Sequence, residues 1–209
     1  MGFQVSCAAN TDVWKKPPTH DVFSGELPST ISPILINQLT PTAPYHVHSK
    51  KPLNSFRSTT LTFHAKYTLQ FDQAGILFII THPTKPRKWI KAGIEFFDGK
   101  PRLSTVCCDR WADWSVASLE DASRAADIEN GKETVTILIE KEIGETGHCL
   151  WVYYVDGDKK VPMREIAWVF GEDLGEGWDL EVAAAVARPA KTADGEFIAD
   201  FDNFDVTWQ

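Results

Sequence analysis

Between residues 61 and 71 the side chains Leu61, Phe63, Ala65, Tyr67, Leu69 and Phe71 alternate strictly with Thr62, His64, Lys66, Thr68 and Gln70. A two-residue period places one set on each side of an extended chain, so this stretch reads as a strand with one polar face. The same grammar runs to the end. Strand candidates follow at 75–81, 88–97, 102–109, 133–142, 148–155, 163–170, 178–187 and 197–208. The turns between them are Asp98-Gly99, Asn130-Gly131, Gly144 to Gly147, Asp156-Gly157-Asp158, Gly171 to Gly177 and Asp194-Gly195. Glycine beside Asp or Asn supplies the positive φ that tight hairpins need. Many short strands at such spacing predict an all-β sandwich or jelly roll. Only Leu119 to Ile128 has helical composition, and it is short enough to decorate a loop.

The first sixty residues differ. Pro17, Pro18, Pro28, Pro33, Pro41, Pro44 and Pro52 each fix the backbone and remove a donor, so a long helix is excluded. Val13, Trp14, Phe23 and the apolar stretch Ile31 to Leu39 indicate a segment that wraps a body and adds edge strands, not a free linker. The expected division is therefore an irregular N-terminal wrap over 1–60 and a sandwich over 61–209, together one domain. At 209 residues such a domain buries about 70% of its unfolded surface without needing disulfides or metal.

Charge narrows the partners. Against 21 basic residues stand 29 acidic ones, a formal charge of -8 with no basic stripe, which repels a phosphate backbone and argues against nucleic acid. Cys7, Cys107, Cys108 and Cys149 form no metal or redox spacing, and the adjacent pair would point to opposite sheet faces, so reduced thiols are expected. The longest apolar runs, Ala74 to Ile80 and Val182 to Ala187, are too short to span a bilayer. Met1-Gly2-Phe3-Gln4-Val5-Ser6 fits the permissive myristoylation pattern, with Cys7 as a second acyl site, but the bulky Phe3 argues against it. A soluble cytosolic chain without membrane contact or cofactor is expected.

The strand over 88–97 carries the candidate chemistry. Ile90, Ala92, Ile94 and Phe96 share one face and read as core. Trp89, Lys91, Gly93, Glu95 and Phe97 share the other, a ring, an ammonium and a carboxylate around a glycine. That face suits a polar, ring-containing ligand. Lys91 and Glu95 lie about 13 Å apart along the strand, so each needs a cross-strand neighbour. A structural network is the competing reading: Lys91 and Glu95 would pair with Asp113, Glu165 or Arg164 while tryptophans fill the core.

Four stretches then carry a resemblance: Thr11-Asp12-Val13-Trp14; Asp72-Gln73-Ala74-Gly75; Trp89-Ile90-Lys91-Ala92-Gly93-Ile94-Glu95; and Asp113-Trp114-Ser115, with Gly195-Glu196-Phe197-Ile198-Ala199-Asp200-Phe201 and Phe204 near the end. Together they resemble the regulation-of-enolase protein family of the concanavalin A-like lectin and glucanase superfamily. The resemblance covers most of residues 61–208. It implies a jelly roll of two antiparallel sheets, cytoplasmic residence and a link to enolase, and it brings no catalytic motif. On such a fold Trp89, Lys91 and Glu95, joined by Asp113, Trp114, Trp151 and Trp168, would form a concave surface for a carbohydrate or sugar phosphate. A protein surface that meets enolase is the alternative partner.

Catalysis is not expected. Glucanases of that superfamily present paired carboxylates on one strand, and a retaining mechanism needs them about 5 to 5.5 Å apart. Here Phe97 follows Glu95 at the second position, and Glu140 with Glu142 lies in a charged outer stretch. Ser115 has no nucleophile elbow around it, and Asp113 reads as a loop former. Two metal candidates, His46-x-His48 with His20 or His64, and Asp200, Asp202, Asn203 and Asp205, read instead as a proline-flanked loop and as a bulged final strand with an acidic outer face. No metal is assigned.

Overall fold

The computed structural model describes residues 2–23 and 43–209; the expectations for Ile31 to Leu39 and for three of the prolines lie outside them. Fourteen strands are seen among the described residues: β1 (Phe3–Cys7), β2 (Lys15–Lys16), β3 (His20–Asp21), β4 (Tyr45–Pro52), β5 (Phe56–Ala65), β6 (Gln73–Thr81), β7 (Lys88–Phe97), β8 (Lys100–Cys108), β9 (Ala112–Ser118), β10 (Val135–Gly144), β11 (Gly147–Asp156), β12 (Lys159–Ile166), β13 (Asp179–Ala187) and β14 (Phe197–Trp208), with one helix, α1 (Ala122–Glu129). Two six-stranded antiparallel sheets result, ordered β1-β14-β5-β10-β11-β12 and β4-β13-β6-β7-β8-β9, with β2 and β3 as a small ribbon. The chain is a β-sandwich jelly roll.

Alternation explains the stacking. Ile90, Ala92, Ile94 and Phe96 of β7 meet Phe63, Ile137, Ile139, Leu150 and Val152 of the opposing sheet in one core. What alternation alone does not give is a second apolar layer on the far side of the β7 sheet, where Leu77, Ile79, Trp89, Val106, Cys108 and Ala183 lie under Val13, Phe23 and Ala43. Strands covered on both faces need apolar residues on both, which is why Ala74 to Ile80 reads as a continuous hydrophobic run. Cys107 and Cys108 do point to opposite layers, and all four cysteines are buried and unbridged. Burial pushes the Cys107 thiol up to about 12 and that of Cys108 to about 11, which leaves neither nucleophilic.

The N-terminal segment is stitched to both sheets. β1 pairs with β14 and β4 with β13, each at a sheet edge. Between them, Thr11 N donates to Arg188 O at 3.2 Å, Asn10 N to Ala190 O at 2.8 Å, and Ala43 N to Asp12 O at 3.1 Å. Underneath sits an ion pair with almost no access to water. Arg188 (4% exposed) donates to both oxygens of Asp72 (0%), Nε to Oδ1 and Nη2 to Oδ2 at 2.8 Å each, while Asp72 Oδ2 also accepts the amides of Thr68 and Leu69. One buried pair thus fixes the turn that leads into β6 and the strand end that the N-terminal segment grips.

Several local expectations need correction. Asp113-Trp114-Ser115 is not a loop but the heart of β9, a sheet-edge strand whose residues are mostly exposed on both faces, so it lacks the apolar period that marks a strand. The strand placed at 163–170 is β12, four residues earlier; its Lys159-Lys160-Val161-Pro162 start is polar because it lies on an edge, and the apolar Ile166, Val169 and Phe170 belong to its last residue and the buried turn after it. The division drawn at residue 60 falls inside β5, whose hydroxyl-rich start Ser58-Thr59-Thr60 hides the period. Helix α1 begins two to three residues later than its composition suggested, where the Asp121 carboxylate caps the amides of Ser123 and Arg124. Finally, Cys7 is 3% exposed inside the core, which removes it as an acyl acceptor in the folded chain.

Candidate functional site

A cleft of about 360 Å³ opens on the β7 sheet beside the N-terminal segment, lined by Asp12, Trp14, Phe71, Gln73, Lys91, Glu95, Trp114 and Pro189. The register explains how one strand's alternation becomes a site. Gln73 of β6 lies directly across from Glu95 of β7, Gly75 across from Gly93, and Ser104 of β8 on the other side of Gly93. Cross-strand partners share a face, so all of these floor the cleft or its margin. The two glycines matter for closeness of approach. A Cβ on Gly93 would stand 2.1 Å from Ala74 O, and one on Gly75 2.2 Å from Ala92 O, so neither position tolerates any side chain.

Two hydrogen-bonded sets rise from this floor. In the first, Lys91 Nζ donates to Gln73 Oε1 at 2.5 Å and faces Asp12 Oδ1 at 3.5 Å, and the Val13 amide donates to the same Asp12 oxygen at 2.7 Å. In the second, Trp114 Nε1 donates to Ser104 Oγ at 3.1 Å, and Ser104 Oγ donates to Glu95 Oε2 at 2.7 Å. Glu95 is 6% exposed. Burial pushes its carboxyl above the usual glutamate range, opposed by the Lys91 ammonium and the Ser104 hydroxyl and reinforced by Asp12. At this end Trp114 meets Phe97 edge-on, with centroids 5.0 Å apart and planes at 89°, and Phe71 at 6.2 Å and 69°. Phe71 itself sits at φ 69°, a left-handed backbone held by its amide's bond to Phe96 O at 2.7 Å and by the Asp72–Arg188 pair next to it.

Of the residues singled out from the sequence, the fold brings Lys91, Glu95 and Trp114 together and leaves four elsewhere. Trp89 shares their face but is 1% exposed, packed against Phe23 with ring centroids 6.2 Å apart. Trp151 lies on β11 in the other sheet, on its outer face, stacked on Tyr153 at 5.9 Å. Trp168 follows β12 and receives the Lys88 ammonium 5.5 Å from its ring. Asp113 points away from Trp114, as adjacent strand residues must, and pairs with Arg164 at 2.6 Å; Arg164 also bonds Ser115, tying β12 of one sheet to β9 of the other. The network expected to join Lys91 and Glu95 to Asp113, Glu165 or Arg164 is therefore not the one that forms.

Asp12, Trp14, Phe71, Gln73, Ser104 and Pro189 complete the site without having been picked out as site residues. Gln73 and Ser104 could have been found by pairing β6 and β8 with β7 in antiparallel register. Asp12 and Trp14 arrive from a segment whose path no periodicity announces. As for metals, no cluster of three or more His, Cys, Asp or Glu side chains among the described residues is arranged to hold one. His46 packs at a tilt against Phe3 and His48 edge-on against Phe204, and His64 lies 3.6 Å from both Asp200 and Asp202 beside the bulge in β14.

The residues of the four resembling stretches now meet in one place: Asp12 and Trp14, Gln73 and Gly75, Lys91, Gly93 and Glu95, and Trp114 surround or floor the same cleft, with Asp72 bracing it. An uncharacterised protein of Emericella nidulans is 32% identical over 200 residues, 95% of this chain and 82% of that one. The crystal structure of a functionally unknown protein from Saccharomyces cerevisiae superimposes with a TM-score of 0.63 at 18% identity, covering 100% of this chain and 88% of the other. A mutant of the GH43 protein BlXynB from Bacillus licheniformis gives 0.49 at 11% identity over 74% of this chain and 28% of that one. The family described as "Protein of unknown function (DUF1349)" matches residues 1–208, and that description, not regulation of enolase, is the one the match carries. This chain belongs to the DUF1349 family.

Proposed function

We propose that the protein is a non-catalytic binding protein and that the cleft between the N-terminal segment and β7 holds a saccharide. The observation that carries this reading is the pairing of walls and floor. Trp14, Phe71 and Trp114 offer ring surface for the apolar face of a sugar, and Lys91, Gln73, Asp12 and Glu95 offer donors and acceptors in fixed positions. About 360 Å³ lies near the lower end of small-molecule sites and matches one or two sugar rings. Phosphorylated sugars fit less well, because Lys91, the single cation lining the cleft among the described residues, is already engaged by Gln73 and Asp12. Four buried, unbridged cysteines suit a reducing compartment, and no described helix is long and apolar enough to cross a membrane.

Calorimetric titration with mono- and oligosaccharides tests the proposal, with Trp114→Ala beside the native chain. Binding in the millimolar range or tighter, weakened by that substitution, is expected. No heat from any saccharide would end the reading. Release of reducing ends from β-glucans would replace it with glycan hydrolysis, and recovery of enolase from cytosol at physiological salt would shift attention to an outer surface.

A further inference from the structure

The charges lining the cleft do not balance. Asp12 and Glu95 bring two carboxylates, Lys91 one ammonium. Lys91 Nζ lies 3.5 Å from Asp12 Oδ1 and donates to Gln73, so the nearer acid compensates it and Glu95 remains in excess. Glu95 Oε2 accepts from Ser104, and among the described residues no cation forms an ion pair with its carboxylate, Lys91 pairing with Asp12 instead. Arg102 is the cross-strand neighbour of Glu95 on β8, but its Nη1 donates to Ser118 Oγ at the sheet edge. A nearly buried carboxylate that faces a cleft therefore stands without an ion-pair partner among the described residues, beside the Phe71 and Trp114 rings.

Aromatic faces carry the negative end of a quadrupole and attract cations, most strongly where water is displaced. An anion entering here would meet two carboxylates, three ring systems and an ammonium already engaged. A cation would meet the reverse, and the chain's charge of -8 favours its approach. We propose, resting on the saccharide reading above, that the cleft takes an amino sugar, its ammonium held at Glu95 beside the Phe71 and Trp114 rings and its ring face against the aromatic walls. Glu95 is then the residue that sets specificity.

The experiment is calorimetry on the full chain with glucose, glucosamine, N-acetylglucosamine and glucose 6-phosphate, at low salt and a pH where the amine is protonated. Glucosamine should bind at least about tenfold more tightly than glucose, with the phosphate weakest. In Glu95→Gln, checked for folding by its melting temperature, the ratio of glucosamine to glucose affinity should fall to near one. Equal affinity for glucose and glucosamine, or for glucosamine and its N-acetyl form, overturns the amino-sugar assignment while leaving the saccharide reading in place. An unchanged ratio in Glu95→Gln overturns the role of Glu95. Absence of any sugar binding removes the parent reading itself. The native series needs no variant, so a Glu95→Gln chain that failed to fold would still leave the assignment to be decided by the four ligands.

Discussion

Trp89 and Glu95 stand on the same face of β7, three steps apart along it, yet Trp89 is sealed and Glu95 looks into a cleft. Around Trp89 the neighbouring strands present Leu77, Ile79, Val106 and Cys108, an apolar field that Phe23 and Val13 close over. Around Glu95 they present Gln73, Ser104 and Arg102, which offer a covering segment nothing apolar to bury against. There the N-terminal segment contributes a rim, Asp12 and Trp14, in place of a lid. The alternation of a strand decides which way a side chain points; the side chains on the adjacent strands decide what comes to lie on it.

Substitutions that treat the two ends separately test this contrast. Trp89→Ala carries the largest expected effect, about 4 kcal/mol of lost stability from the emptied site, seen as a drop of roughly 10 °C in melting temperature. Saccharide affinity of the chain that remains folded should stay within about twofold, since the ring faces Phe23 and not the cleft. Normal stability with lost binding would reverse the assignment of the two ends.

Arg188→Ala comes next, about 3 kcal/mol, because it leaves the Asp72 carboxylate buried without its partner. Unlike Trp89→Ala it should also weaken saccharide binding, for the Arg188 guanidinium, through Asp72 and Thr68, holds the turn that carries Phe71 and Gln73 into the cleft. Urea unfolding and calorimetry on one preparation read both effects. A loss of stability with intact affinity would show that the cleft keeps its shape without this pair.

Trp114→Ala should invert the pattern. The residue is only half-buried on an edge strand, so about 1 kcal/mol of stability is at stake, whereas saccharide affinity should fall roughly tenfold with the loss of a stacking ring. If Trp114→Ala and Trp89→Ala behave alike, the two ends of β7 are not functionally distinct.

Much of this molecule was legible because burial imposes period. Ile90, Ala92, Ile94 and Phe96 declare the core face of β7, and the face of Lys91 and Glu95 follows from the same rule. Edge elements were not legible in the same way. β9 and the start of β12 are exposed on both sides, so nothing selects an apolar rhythm in Asp113-Trp114-Ser115 or in Lys159-Lys160-Val161-Pro162. The site was half visible for a related reason. Its floor belongs to three consecutive strands, β6 to β8, while Asp12 and Trp14 come from the distant N-terminal segment along a path set by tertiary packing, which a local pattern does not encode. Tryptophan was the least informative residue type: Trp89, Trp114, Trp151 and Trp168 look alike in sequence and occupy a core, a cleft wall, an outer face and a turn.

The smallest effect isolates Glu95. Burial raises its carboxyl above the ordinary glutamate value of 4.5, with Asp12 acting in the same direction and Lys91, Ser104 and Trp114 against it. The folded chain therefore holds this proton more tightly than the unfolded one. Stability falls as pH rises from the ordinary value through the raised one, and the penalty is complete above it. Glutamine cannot ionise, so Glu95→Gln should gain on the native chain across that window, by roughly 2 °C in melting temperature, and hold a constant lead at higher pH. The opposite slope, a lead that shrinks as pH rises, would mean that the charged carboxylate is favoured in the fold and that Lys91 outweighs burial. In that case Lys91 would be shared between Asp12 and Glu95, the excess negative charge of the cleft would vanish, and the contrast between a sealed apolar end and an open acidic end would become one between two filled ends.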